Sequence, residues 1–256
     1  TLFPYTTLFR STSYSSGWVG GNRGRVGGLV GWNLKGSVTT STNTAAVSGN
    51  SNWVGGLVGD NNGTVTHCYS SGAVSGNSNW VGGLVGDNGY QGVITDCYST
   101  GAVSGASRVG GLVGGNGNRS IVTNCYSTGS VSGESYVGGL VGSGLAKDVT
   151  GCFWDTQTSG QTTSAAGTGK TTPEMQMAST FSVPGWDFVG EIENGTCEVW
   201  QMPEGGGYPV FAIFGGYTPP QLHGLGTSEA PYLISDVLEL GAVIYYSRHA
   251  HYRLAT

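Results

Sequence analysis

The hexapeptide VGGLVG occurs five times at almost constant spacing, and this repetition limits the fold more than any other feature of the chain. The copies start at positions 26, 54, 81, 109 and 137, so one repeat is 27 or 28 residues long. Repeats of roughly 20–50 residues are typical of solenoids, in which a unit buries its apolar side only against its neighbours. The sequence therefore predicts one stack of similar units over more than half of its length.

A second block follows each hexapeptide. It reads VTTSTNTAAVSG at 38–49, VTHCYSSGAVSG at 65–76, ITDCYSTGAVSG at 94–105 and VTNCYSTGSVSG at 122–133. Each unit thus has three short β-prone pieces, separated by Gly, Asn and Ser, which suit tight corners. Three strands and three corners describe one coil of a parallel β-helix. We therefore predict an all-β fold, a parallel β-helix (β-solenoid) of ~28-residue coils with a small mixed C-terminal cap.

Glycine inside the hexapeptide predicts a crowded position. Gly in a strand marks a bend or a close approach of another backbone, and here it recurs in register on every coil. Strict alternation would place Val54, Gly56 and Val58 on one face of the strand and Leu57 on the other. We expect one internal leucine ladder, formed by Leu29, Leu57, Leu84, Leu112 and Leu140.

Composition excludes two classes of partner. The net charge of −5 gives no electrostatic reason to bind nucleic acid, because that affinity comes mainly from neutralising phosphates. No apolar run reaches the 18 or more residues that span a bilayer, so we predict no membrane insertion. Charged residues make up only 10% of the chain, which leaves Ser, Thr, Asn and the backbone to interact with water.

The Gly-Leu-Val-Gly core of the hexapeptide resembles the GLUG motif, and the resemblance covers about residues 13–150. GLUG repeats occur in bacterial surface proteins, including adhesin-like proteins and non-catalytic parts of immunoglobulin A-cleaving metallopeptidases. The resemblance implies a secreted or bacterial cell-surface module that binds a partner or serves as a structural element. It implies no protease chemistry, because the chain lacks the zinc motif H-E-x-x-H.

The flanking segments suggest a fragment of a longer protein. Residues 1–11 match nothing else and are interpreted as a non-native remnant, and residues 12–150 hold the repeats. Residues 151–214 are predicted to be a cap over the end of the stack, with a short helix that begins at Thr172 as N-cap. Residues 215–256 are interpreted as a linker and the truncated start of a second solenoid, including a helix capped by Ser235.

For several groups that could bind a metal or a nucleotide, we favour a purely structural role. Cys68, Cys97, Cys125 and Cys152 fall in one column, and a ladder of buried free thiols is favoured over disulfides or zinc, since a line of ligands is not a tetrahedron. The segment GTGKTT at 167–172 lacks the first glycine of a phosphate loop. His249 and His251 have no third ligand near them in sequence. We predict no metal site and no cofactor.

Asp60 and Asp87 occupy equivalent positions on adjacent coils. Two carboxylates about 5 Å apart match the pair of a retaining glycosidase, and parallel β-helices do include polysaccharide hydrolases and lyases. Yet both residues stand in D-N-(N)-G segments, where Asp is a common turn former. Comparable corners in the other coils, such as Leu34–Lys35, carry no acid. We therefore expect turn residues rather than a catalytic pair or a calcium site.

The residue that precedes each hexapeptide gives the most informative column, which we call the stripe. It consists of Arg25, Trp53, Trp80, Arg108 and Tyr136. Large planar groups at coil spacing allow aromatic and cation–π contacts, and such a surface suits sugar rings or a protein partner. The competing interpretation is that these side chains only cover glycine-rich backbone. A second column is interpreted as a packing ladder: Tyr14, Thr42, Tyr69, Tyr98, Tyr126 and Phe153.

Together these features predict a non-enzymatic, extracellular or cell-surface β-solenoid that is an adhesin-like binding or structural module. The expected partner is a glycan or a protein of a host or cell surface, bound at the stripe. The alternatives are a carbohydrate-active β-helix enzyme that uses Asp60 and Asp87, or a pure structural spacer.

Overall fold

The computed structural model describes residues 13–22, 24–190, 199–212, 227–234 and 251–254. The chain forms two compact units, Thr1–Phe211 and Ala212–Thr256. The predicted remnant at 1–11, the linker at 215–226 and the helix after Ser235 lie outside the described residues.

The first unit is a parallel β-solenoid of about five coils, as the repeat predicts, and each coil contributes to three sheets. The first sheet contains Tyr14–Ser15, Ser37–Thr39, Thr42–Asn43, Thr64–Thr66, Tyr69–Ser70, Val93–Ser99, Ile121–Ser127, Val149–Thr150, Phe153–Asp155 and Thr168–Lys170. The second contains Trp18–Gly21, Val26–Gly27, Ala46–Gly49, Val54–Gly55, Val74–Gly82, Val103–Gly110 and Val131–Gly138. The third contains Val30–Asn33, Val58–Asn61, Val85–Asn88, Val113–Asn116 and Val141–Gly144.

Successive coils pair in register, so that equivalent residues of the repeat are direct neighbours. Val85, for example, pairs with Val58 on one side and with Val113 on the other. Several corners use a non-glycine residue with a left-handed backbone, such as Lys35, His67 and Asp96. Because such residues recur at more than one corner of the coil, the left-handed conformation belongs to the coil geometry and does not by itself mark a functional site.

The interior holds two apolar clusters. The larger contains the predicted leucine and cysteine ladders, and Leu57, Leu84, Leu112 and Leu140 are fully buried within it, whereas Leu29 in the first coil is only partly buried. The smaller lies at the second sheet and consists of valines: Val26, Val47, Val54, Val74, Val81, Val103, Val109 and Val131. Each buried side chain of this size contributes roughly 1.5–3 kcal/mol, and only coil stacking makes that burial possible.

Simple alternation in the hexapeptide is wrong, because the chain bends between its two strands. Leu57 and Val58 both face the larger cluster, whereas Val54 belongs to the valine cluster. The bend also explains the glycines. A Cβ atom on Gly55 would collide with the carbonyl oxygen of Val58, and one on Gly56 with a carbonyl of the next coil. The predicted close backbone approach is thus confirmed.

Two polar ladders complete the interior. Cys68, Cys97, Cys125 and Cys152 are free, buried thiols, as predicted, and donate weak hydrogen bonds to backbone carbonyls. A second ladder joins asparagines of the third sheet. The side-chain amides of Asn33, Asn61 and Asn88 each donate to the side-chain oxygen of the next asparagine at 2.7, 2.8 and 2.9 Å, ending at Asn116. These buried amides therefore satisfy one another.

Residues 153–170 lie at the C-terminal end of the stack. Phe153–Asp155 and Thr168–Lys170 extend the first sheet, and the backbone N–H of Ala165 donates to Val141 of the third sheet. Trp154 and Ala166 join the larger apolar cluster. GTGKTT therefore contains a sheet strand and no phosphate loop. Short helical turns occupy Ala146–Asp148 and Thr156–Ser159, and Asp155 caps the latter by accepting from two backbone amides.

The later described residues of the first unit pack along the side of the solenoid, on the tyrosine column. Its elements are the helices Thr172–Met175 and Ala178–Ser182 and an antiparallel pair, Trp200–Gln201 with Val210–Phe211. The first helix begins one residue earlier than predicted: Thr171 is the N-cap, and it forms a capping box with Glu174. Trp186 and Trp200 are fully buried against Tyr126. The packing role predicted for this column is thus confirmed over its later coils, while Tyr14 in the first coil is exposed.

The second unit contains one pair of described strands. Tyr232–Ile234 and Tyr252–Leu254 run parallel, and the backbone N–H of Tyr232 donates to the carbonyl of His251 at 2.9 Å.

Candidate functional site: an arginine–aromatic stripe

The structure brings all five residues of the stripe together at one corner of the coil. They stand directly before the valine that enters the bend of each hexapeptide, in or beside the strands of the second sheet. Trp53, Trp80, Arg108 and Tyr136 have φ angles of 64°, 61°, 53° and 51°. The same conformation on successive coils projects the four side chains in the same direction.

The five side chains form one continuous stack. The Arg25 guanidinium lies 5.1 Å from the Trp53 ring centre, and the rings of Trp53 and Trp80 stack at 5.6 Å with an interplanar angle of 11°. Arg108 lies 4.9 Å from the Trp80 ring and 5.3 Å from that of Tyr136. Cation–π and ring contacts thus continue over five coils.

Stacking uses most of the ring faces inside the column, so the column presents mainly ring edges and guanidinium groups to water. The ends differ. Tyr136 is 65% exposed, and the second sheet ends at its strand, so one face of this ring has no coil above it. At the other end Trp32 extends the stack, with its ring 4.3 Å from the Arg25 guanidinium. Sequence reasoning missed Trp32 because it aligned Leu34–Lys35, and not Trp32, with the aspartate column.

The aspartate column runs beside the stripe. Its register partners are Trp32, Asp60, Asp87, Gly115 and Ser143, and these residues lie in strands of the third sheet rather than in turns. The prediction of turn residues is therefore wrong for Asp60 and Asp87. The turns lie further along, for example at Tyr90–Gln91 and Asn118–Arg119.

The two carboxyl groups differ in their surroundings. Asp60 is 6% exposed, and its Oδ2 accepts from Arg25 Nε at 2.5 Å, while its Oδ1 is buried without a hydrogen-bond partner. Burial first, and then the Asp60 carboxylate, raises the pKa of Asp87 to about 6, against the opposing effects of Trp53, Arg25 and Arg108. A glycosidase pair must face its substrate. Because Asp60 is buried and bound by arginine, the geometry favours a role in holding the stripe.

Other candidate groups do not assemble into a site. Within the described residues, no group of three His, Cys, Asp or Glu side chains lies close enough to hold a metal ion. His67 and Asp96 form the nearest approach to a catalytic pair, at 3.6 Å, but Phe211 lies edge-on to His67 and Trp200 donates to Asp96. The described helices are all too short and too polar to cross a membrane.

The geometry defines a class: a repetitive parallel β-solenoid with a partly exposed arginine–aromatic stripe. The family model described as the GLUG motif matches residues 22–48, 77–104 and 105–132. Each matched segment covers about one coil of the stack. The GLUG motif that the hexapeptide predicts is thus confirmed at three repeats of the chain.

Comparison with solved structures gives a likeness to a candidate immunoglobulin A1 protease from Bacteroides ovatus. The TM-score is 0.56 and the identity 22%, and the match covers 78% of this chain and 67% of that one. At this identity the likeness concerns the fold alone. No match was found among the curated proteins.

Proposed function

We propose that this protein is a non-enzymatic binding module of the adhesin type, and that the stripe is its ligand-binding surface. The observation that carries the proposal is a continuous stack of two arginines and three aromatic rings, of which Tyr136 is 65% exposed. Exposed contiguous aromatic surface is unusual on a soluble protein and is typical of binding sites. We further propose a secreted or cell-surface location, as in the bacterial proteins that the repeat resembles.

The rigidity of the stripe supports this role. The rings of Trp53 and Trp80 are held by neighbours in the stack and by a backbone that pairs on both sides, so little side-chain entropy is lost when a ligand binds. Arginine and tryptophan are also the residue types enriched in binding hot spots. The proposed ligand is a glycan or a surface protein that contacts ring edges, guanidinium groups and the free face of Tyr136.

Removal of the central rings tests the proposal. We expect Trp53→Ala combined with Trp80→Ala to abolish binding to glycans and to cell surfaces, while circular dichroism shows a folded solenoid. Trp18→Ala is the matched control, because Trp18 is 71% exposed but lies outside the stripe. Unchanged binding by the double variant would exclude the stripe as the binding surface.

Two other outcomes would replace the proposal. A spacer predicts that neither glycan arrays nor cell-surface assays detect binding by the unaltered chain. A carbohydrate-active enzyme predicts new reducing ends or unsaturated products from a polysaccharide, and their loss in Asp60→Asn and Asp87→Asn variants.

A further inference from the structure

The two arginines of the stripe differ in how their charge is compensated. Arg25 donates to the Asp60 carboxylate at 2.5 Å, so its charge is neutralised within the fold. Arg108 makes cation–π contacts with Trp80 and Tyr136. Among the described residues, no carboxylate lies within 4.0 Å of its guanidinium group, and none of their polar atoms accepts a hydrogen bond from it.

The repeat explains this difference. Arg25 reaches the aspartate column on the coil that follows it, where Asp60 stands. On the coil that follows Arg108, the same column holds Ser143, and on its own coil it holds Gly115. The next coil therefore provides a carboxylate for Arg25 but not for Arg108.

Arg108 is also held in a defined orientation. Its guanidinium carbon lies over both rings, 4.9 and 5.3 Å from their centres, which leaves the N–H groups of the guanidinium as the part able to bind a partner. A planar guanidinium presents parallel donors that fit a carboxylate or a sulfate. The adjacent Tyr136 ring is 65% exposed, and an aromatic face attracts the C–H groups of a sugar ring, since that face carries partial negative charge.

We propose that Arg108 and Tyr136 anchor an acidic sugar, with the anionic group on the guanidinium edge and the sugar ring on the free face of Tyr136. This inference rests on the proposed function and names its ligand class, an acidic polysaccharide. The shared chemistry is a carboxylate or sulfate group attached to a pyranose ring.

The aspartate column does not cancel this charge at close range. Asp60 is bound by Arg25, and Asp87 is half-buried on the coil before Arg108, where Arg108 lowers its pKa without forming an ion pair with it within 4.0 Å. The pKa of Asp87 is raised to about 6, first by burial and then by Asp60. We therefore expect anion binding to strengthen as the pH falls from 7 to 5.

The test measures binding of the full chain to immobilised polygalacturonate and dextran sulfate, with neutral dextran and poly-glutamate as comparison ligands. We expect Arg108→Gln to weaken binding to the acidic polysaccharides about tenfold, as for loss of a charge-assisted hydrogen-bonded pair, and Tyr136→Ala to weaken it as well. Arg119→Gln is the matched control. Arg119 also contacts a ring, that of Tyr90 at 5.7 Å, and its removal changes the net charge equally, yet it lies outside the stripe.

Each outcome decides between the two proposals. Equal losses in Arg108→Gln and Arg119→Gln would show a general charge effect and overturn the inference. Equally tight, Arg108-dependent binding of poly-glutamate would overturn the sugar class. If the tryptophan variants lose glycan binding while Arg108→Gln keeps it, the inference fails and the proposed function stands. If no glycan and no surface binds, both fail.

Discussion

Two columns of stacked side chains run along the solenoid, one covered by other residues and the other partly exposed. In the tyrosine column, Tyr69, Tyr98 and Tyr126 stack at 4.8 and 5.0 Å. A cluster of aromatic rings from later described residues covers them: Phe181, Trp186, Phe188, Trp200 and Phe211. In the stripe the stacking is similar, but Trp53 and Trp80 stay partly exposed. Stacking alone is thus a consequence of the coil repeat, and the presence or absence of a cover distinguishes core from surface.

The composition of the two columns fits this distinction. The covered column is uncharged over its later coils, so that it can be buried without desolvating an ion. The stripe combines two arginines with three rings, and a guanidinium keeps its edge hydrated while its plane packs on an aromatic face. The sequence of the stripe is therefore suited to remain in contact with water or with a polar ligand.

Removal of an aromatic ring that covers the tyrosine column should cause the largest loss of stability. Trp200 is fully buried and contacts Tyr98, Tyr126, Trp186 and Phe211. We expect Trp200→Ala to lower the free energy of unfolding by about 4 kcal/mol, as for other buried tryptophans. Urea unfolding followed by circular dichroism measures it. Trp80→Ala in the stripe is the control and should cost about 1 kcal/mol. Equal losses would show that the stripe is as much a part of the core as its covered counterpart.

The asparagine ladders provide the same contrast with polar groups. Asn88 is fully buried, accepts from Asn61 and donates to Asn116, whereas the amide of Asn77 donates to Asn50 at 2.7 Å on the exposed surface. We expect Asn88→Ala to cost about 3 kcal/mol, because two buried amides lose a partner, and Asn77→Ala to cost less than about 0.5 kcal/mol. Thermal unfolding of both variants tests this. A large loss of stability in Asn77→Ala would contradict the idea that the asparagine ladder stabilises the fold because it is buried.

Periodicity explains why so much of the fold was predictable. A 28-residue repeat fixes which residues become neighbours on successive coils, so the leucine, cysteine and tyrosine columns and the stripe could all be derived from spacing alone. The interior valine cluster and the bend at Gly56 could not, because strand alternation assumes a straight strand. The asparagine ladder was missed because asparagine next to glycine is also the commonest signal for a turn.

The repeat spacing does not predict contacts between the repeats and the non-repetitive residues that follow them. The cover over the tyrosine column depends on residues such as Tyr126 and Pro209, whose hydrogen bond of 2.6 Å joins positions 83 apart. Nothing in the repeat indicates which column the later residues will cover. For the same reason, the sequence alone could not decide that the stripe remains partly exposed.

The stripe should also respond to pH through Asp87. Its pKa is raised to about 6 in the folded protein, first by burial, from the usual aspartate value of 3.8. The folded state thus binds more protons than the unfolded state between these values, and stability should fall by about 2 kcal/mol as the pH rises from 4 to 6. Asp87→Asn should remove this slope in chemical unfolding at a series of pH values. A slope that persists in the variant would assign it to other groups.

The region beside the tyrosine column, where His67 and Asp96 lie, should show a smaller dependence of stability on pH, and in a different pH range. The hydrogen bond with Asp96 raises the pKa of His67 above 6.5, against the effect of burial, and the two side chains lie 3.6 Å apart beneath Phe211. The stabilisation is fully present below pH 6.5 and is lost as the pH rises through the folded pKa. Because His67 is half-exposed, we expect well under about 1 kcal/mol. Thermal unfolding between pH 6 and 8, in the Asp87→Asn background, separates this effect from that of the stripe. If stability rises between pH 6 and 8, or if Asp96→Asn leaves its dependence on pH unchanged, the His67–Asp96 pair is not responsible for it.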